Sequence, residues 1–188
     1  MSSIQNTANH EHRLIVAGFG GQGVLTLGKL LCLAAISEGK QVTYLPSYGS
    51  EVRGGTANCN VVISTGEIFS PVVERADSLI ILNELSFERF GGLVEEGGLL
   101  VLNTSLVDPG DYAQAHSARV LGVAATERAL ELGNLVVANV IMLGAFLGAS
   151  GLCKSANVEK ALGQTLTGRK SAALEINLCA LQEGLELA

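Results

Sequence analysis

The chain has 188 residues, 48% of them hydrophobic and 4% aromatic, with no Trp and a net charge of −6. An acidic chain without a basic stripe is poorly suited to nucleic acid or an anionic membrane, so neither is expected as a partner. The length suits one domain. A core without Trp must come from Val, Ile, Leu and Ala, as in parallel strands covered by helices on both faces.

Residues 1–12 are polar and lack the apolar stretch of a signal peptide, so they read as a disordered tail before a single domain over 13–188. A strand is predicted over 13–17, running into Gly18-Phe19-Gly20-Gly21-Gln22-Gly23. Apolar residues at helical spacing predict a helix over 21–38, ended by Gly39, and a second strand covers 41–45. A polar loop over 46–55 follows. Alternation and β-branching predict a strand over 56–64. A short returning strand over 67–70 and a helical turn over 71–75 come next. Buried strands are expected over 78–82 and 99–102, around a helix over 86–95 capped by Ser86. The last strand covers 118–123. Helices then follow over 124–132, 136–148, 155–166 (capped by Ser155 or Asn157) and 170–187. The run 135–147 is too short to cross a bilayer and contains Asn139 and Gly144. The expected fold is a three-layer α/β/α Rossmann-like domain with a mostly parallel sheet and C-terminal helices.

Gly18, Gly20 and Gly23 match GxGxxG between a strand and a helix. In that motif the first glycine permits a tight turn, the second admits a phosphate to the backbone, and the third lets the helix pack closely. The helix start beyond it offers N–H groups and partial positive charge to an anion. Gly21 adds backbone access and Gln22 an amide. A dinucleotide site also needs an acid at the end of the second strand. That strand ends Tyr44-Leu45-Pro46-Ser47, with Glu51 the first acid beyond. This weighs against NAD and leaves a packing turn or another phosphate-bearing ligand. The loop carrying Tyr48, Glu51, Arg53, Gly54 and Gly55 falls on the same edge and is expected to contact a partner or a ligand.

The turn Gly18-Phe19-Gly20-Gly21-Gln22-Gly23-Val24, with Gly28, resembles the opening of the γ subunit of 2-oxoacid:ferredoxin oxidoreductases. Ser47-Tyr48-Gly49-Ser50-Glu51-Val52-Arg53-Gly54-Gly55-Thr56-Ala57 resembles that family's second signature, and Asn139 to Gly144 its short Asn…Leu-Gly segment. The resemblance implies a cytoplasmic complex that converts a 2-oxoacid and coenzyme A to acyl-CoA and CO₂, passing electrons to ferredoxin. Thiamine diphosphate with Mg and the iron–sulfur clusters would sit on α and β subunits, and on a ferredoxin-like δ subunit where one is present. This chain would hold none of them and show no turnover alone. Gly18, Gly20, Gly21, Gln22 and Gly23 would face the coenzyme A pyrophosphate or a subunit interface. A homodimer is left open for the isolated chain.

Cys32, Cys59, Cys153 and Cys179 stand singly, without the spacing of a zinc or iron–sulfur site. Cys32 and Cys179 fall among apolar helical residues and are expected to be buried. His10 and His12 belong to the expected tail and His116 to a polar stretch, so no catalytic residue is assigned. Asn83 and Glu84, at the end of the 78–82 strand, are secondary candidates that also suit helix capping. The competing functions are a free-standing NAD- or nucleotide-binding oxidoreductase and a coenzyme A-binding module.

Overall fold

The computed structural model describes residues 10–48, 56–110 and 117–188, and for Tyr48 the backbone alone. In chain order the strands are β1 (Glu11–Phe19), β2 (Gln41–Tyr48), β3 (Thr56–Ser64), β4 (Ala76–Ile81), β5 (Val94–Asn103) and β6 (Arg119–Val123). The helices are α1 (Val24–Ser37), α2 (Glu84–Phe90), α3 (Ala125–Glu131), α4 (Ala138–Ser150), α5 (Ser155–Thr165) and α6 (Leu174–Glu186). The six strands form one sheet in the order β2-β3-β1-β4-β5-β6.

β1, β4, β5 and β6 pair in parallel, whereas β3 runs antiparallel to both β1 and β2. The first βαβ unit therefore does not put β2 beside β1, because β3 lies between them. The period-2 pattern divides the core cleanly. Leu14, Val16, Ile80 and Leu82 face a thick layer built from α1 and α3 to α6. Ile15, Ala17, Leu79 and Ile81 face a thinner layer of α2 and connecting segments. The three-layer α/β architecture is thus present, with most helix on one side.

α4 is the central helix of the thick layer. Every residue from Asn139 to Leu147 is buried. α6 runs parallel to it, and Gly144 and Gly184 bring the two backbones together. A Cβ built at Gly144 would lie 2.9 Å from the Gly184 Cα.

Several expectations need correction. β1 starts at Glu11, so Glu11 and His12 belong to the sheet rather than the tail, and His12 Nε2 shares a 3.0 Å hydrogen bond with Ser78 Oγ. α1 starts at Val24, three residues later than expected. The segment 65–75 forms neither the returning strand nor the helical turn. Both edges of β3 are already taken by β1 and β2, so a returning strand has no ladder to join. α2 begins at Glu84 because Asn83, not Ser86, caps it, accepting a 2.9 Å bond from the Ser86 N–H. The stretch from Val94 is already strand.

Candidate functional site

β1 delivers the chain to the carboxyl edge of the sheet at Phe19. The Phe19 N–H donates to Gln22 Oε1 at 2.6 Å, and the Gln22 N–H returns a bond to the Phe19 carbonyl at 3.1 Å. Gln22 Oε1 also accepts from Asn83 Nδ2 at 2.9 Å, while Gln22 Nε2 donates to the Leu82 carbonyl at 3.3 Å. The chain of bonds continues across the edge. Asn103 Nδ2 donates to Thr126 Oγ1 at 2.9 Å and to the same Leu82 carbonyl at 3.4 Å. The Gln22 amide therefore holds the turn against β4, leaving the backbone of Gly20 and Gly21 as the accessible part.

The three motif glycines play different parts. A Cβ at Gly18 would meet Gln22 Oε1 at 2.8 Å and Val24 Cγ2 at 2.9 Å, so this position allows the tight turn. Gly20 is exposed, with nothing within 4 Å of a built Cβ. Gly23 has φ of 77°, in the left-handed region, and its Cβ would strike the Asn139 side chain. Asn139 Nδ2 donates to the Gly23 carbonyl at 3.1 Å, tying the start of α1 to α4. Close packing of α1 on the sheet falls instead to Gly28, whose Cβ would lie 2.5 Å from Cys59 Sγ.

The first turn of α1 has no side-chain cap and no acidic residue. It opens into a cavity of about 600 Å³ with Gly20, Gly21 and Gly23 along one wall. Leu25, Leu30, Val140, Leu162 and Leu166 supply an apolar wall, while Lys170, Asn177 and Asn134 supply polar groups. Partial positive charge at the helix start, together with a nearby ammonium, suits an anion attached to an uncharged arm.

Tyr48 ends β2 opposite Ala57, and Gly18 also pairs with Ala57, so the 49–55 connection springs from beside the glycine turn. Glu51, Arg53, Gly54 and Gly55 lie outside the described residues, as do the Tyr48 side chain and His116. Asn83 proves to be a cap and a partner of Gln22. Glu84 accepts from the Asp108 N–H at 3.1 Å. The sequence marks Asn139 as a polar break in the apolar run and as part of a resembling segment, but its contact with Gly23 spans 116 residues and is not encoded locally. Neither Lys170, in the 3-10 turn Gly168–Ala173 just before α6, nor Asn177, on α6, is singled out by the sequence, because no local pattern links this region to the glycine turn.

A dinucleotide site fits poorly. The strand beside β1 is the antiparallel β3, which presents Thr56 and Ala57 at this edge. β2, two strand spacings or about 10 Å away, ends without an acid. An iron–sulfur cluster fits no better. Among the described residues, no three His, Cys, Asp or Glu side chains are grouped to hold a metal. Burial and neighbouring Cys153 push the Cys32 thiol up to about 12, and burial and Cys32 push Cys59 to about 12. Burial likewise raises Cys153, to about 11. These are neutral packing thiols. Cys179 is exposed, contrary to expectation, because it lies on the outer side of α6.

Residues 13–187 match the family model described as pyruvate ferredoxin/flavodoxin oxidoreductase. This chain belongs to that family. The ketoisovalerate oxidoreductase subunit VorA of Methanothermobacter marburgensis is 41% identical over 180 residues, covering 95% of this chain and 37% of VorA. This chain thus spans little more than a third of that relative's length. The 2-oxoglutarate synthase subunit KorC of Methanothermobacter thermautotrophicus is 33% identical over 177 residues, covering 92% of each chain. The keto/oxoacid ferredoxin oxidoreductase γ subunit of Geobacter sulfurreducens superposes with a TM-score of 0.79 at 28% identity, over 94% of this chain and 98% of that one. The oxidoreductase family therefore contains this domain both as a separate chain and as part of a longer one.

Proposed function

We propose that this chain is the γ-type subunit of a 2-oxoacid:ferredoxin oxidoreductase complex and that its cavity receives the diphosphate end of coenzyme A. In the overall reaction a 2-oxoacid and coenzyme A yield acyl-CoA and CO₂, and the two electrons released reduce two ferredoxins. Thiamine diphosphate with its Mg²⁺ and the iron–sulfur clusters would supply the carbanion and electron-transfer chemistry from the α and β subunits, and from a δ-type subunit where one is present. Such a complex works in the cytoplasm.

The observation that carries this reading is the cavity itself. Coenzyme A joins a charged diphosphate to a long, largely uncharged arm. The Gly20–Gly21 backbone and the uncapped start of α1 suit the first, and the Leu25, Val140 and Leu166 wall suits the second. Lys170, on the cavity lining, adds a point charge for a phosphate oxygen. In this role the chain binds and orients, and no electron passes through it.

The test uses the purified complex and 2-oxoacid- and coenzyme A-dependent dye reduction. Lys170→Glu should raise the KM for coenzyme A by about tenfold, the size of one lost charge-assisted contact, and leave kcat nearly unchanged. Coenzyme A should also slow hydrogen exchange over residues 20–26. An unchanged KM together with unprotected amides would remove the cavity from the reaction. Tight coenzyme A binding by the isolated chain, with no partner subunits co-purifying, would favour the stand-alone binding module.

A further inference from the structure

The edge of the sheet opposite the cavity carries a second feature. β3 ends at Ser64, paired with Glu11 at the start of β1, so the 65–75 connection crosses the amino-terminal edge. Phe69 and Val72 on that connection are 83% and 55% exposed. A shallow cleft of about 540 Å³ runs between them and Glu11, Arg13, Arg75 and Glu95. The connection is held rather than loose. Val73 is buried in the thinner layer, and Arg75 bonds to the Val94 carbonyl and to Glu95, each at 2.9 Å. Arg13 pairs with Glu11 at 3.5 Å. An aromatic and an aliphatic anchor stand among cations already paired on this chain, so covering them strands no bare arginine.

Both ends of the domain emerge at this edge. β1 enters here at Glu11. α4 begins against Gly23 at the carboxyl edge and ends with the Ala149 carbonyl bonded to Arg119, at the amino-terminal end of β6. α6 runs parallel to α4, and Ala188 lies against Gly148 near the end of α4. In VorA the matched region is 37% of the chain, so most of that polypeptide lies outside it. A continuation from the amino-terminal end of this domain starts at Glu11, on the cleft beside Phe69 and Val72, whereas α6 ends at the same end of the sheet but in the thick layer on its other face.

We infer that the Phe69–Val72 edge docks the subunit that corresponds to the part of VorA outside the matched region. The inference rests on the subunit reading above and adds its orientation: the partner covers the amino-terminal edge and leaves the cavity at the carboxyl edge open.

The test co-expresses this chain with the partner subunit, identified by mass spectrometry as homologous to the unmatched part of VorA. Phe69→Asp and Val72→Asp should each weaken association about tenfold or more. Val136→Asp, an exposed position on the cavity lining, should leave it unchanged. Residues 68–73 should lose hydrogen exchange in the complex, and circular dichroism should show both edge variants folded. If the wild type assembles and both edge variants assemble equally well, the docking edge is wrong while the subunit reading stands. A wild type that binds no such subunit overturns the subunit reading, and this inference with it. If these variants abolish only a homodimer, the occupant is a second copy and the inference fails.

Discussion

Gln22 Oε1 accepts one bond from its own turn and one from Asn83, so a single oxygen couples β1 to the end of β4. Gly23 completes the arrangement on the other side, with Asn139 on its carbonyl and no room for a Cβ. Gly23→Ala combines left-handed backbone strain with a clash against a buried side chain. It should cost about 2–4 kcal/mol, read as a lowered midpoint in urea denaturation. At this scale the sequence was informative about backbone and silent about side chains. GxGxxG identified the turn because glycine is required locally. The amide of Gln22 is expected to face a ligand or a subunit interface, and its bonds to Leu82 and Asn83 escape the sequence because those residues come 60 and 61 positions later.

Helix termini show the same division between near and far. α2 is capped by its own Asn83, a local device that the sequence offers for Asn83 as well as for Ser86. α5 has no cap from its flanking Lys154 side chain. Neither Ser155 nor Asn157, the expected candidates, supplies one. Glu38 at the end of α1 does so instead. Its Oε1 accepts from the Lys154 N–H at 2.7 Å and from Asn157 Nδ2 at 3.0 Å, and its Oε2 meets Lys40 Nζ at 2.8 Å. Burial alone would raise this carboxyl, but the bonds from Lys40, Lys154 and Asn157 outweigh it and hold the pKa at about 2, against 4.5 in the unfolded chain. Because the folded value is the lower one, the latch contributes fully above pH 4.5 and is lost as pH falls towards 2. The wild type should lose urea resistance across that window more steeply than Glu38→Gln. Parallel curves for the two proteins would show that the latch contributes nothing.

Across the molecule, helix and strand positions followed from periodicity, while strand order did not. The half-buried alternation at the start of β3, with Ala57 and Cys59 in and Asn58 and Asn60 partly out, suits an antiparallel strand. Its insertion between β1 and β2 depends on pairings with β1 over 37 to 53 residues, which no local pattern encodes. The family signature at the glycine turn was legible from sequence, whereas the apolar wall and Lys170 needed the C-terminal helices in place. The parallel centre of the sheet, covered on both faces, should be the last part to open. Native-state hydrogen exchange should find the slowest amides in β1, β4 and β5, with the flanking β2 and β6 opening at lower free energy. Equal rates in β2 and β4 would contradict this ranking.

The parallel run of α4 and α6 has a practical consequence. It brings the last helix back to the end of the sheet where the first strand enters, so an affinity tag joined directly to Glu11 or to Ala188 leaves from that end. A tagged preparation can then look healthy by every measure of the glycine cavity and still assemble badly. Tag removal, rather than a change of buffer, is the first remedy for such a preparation.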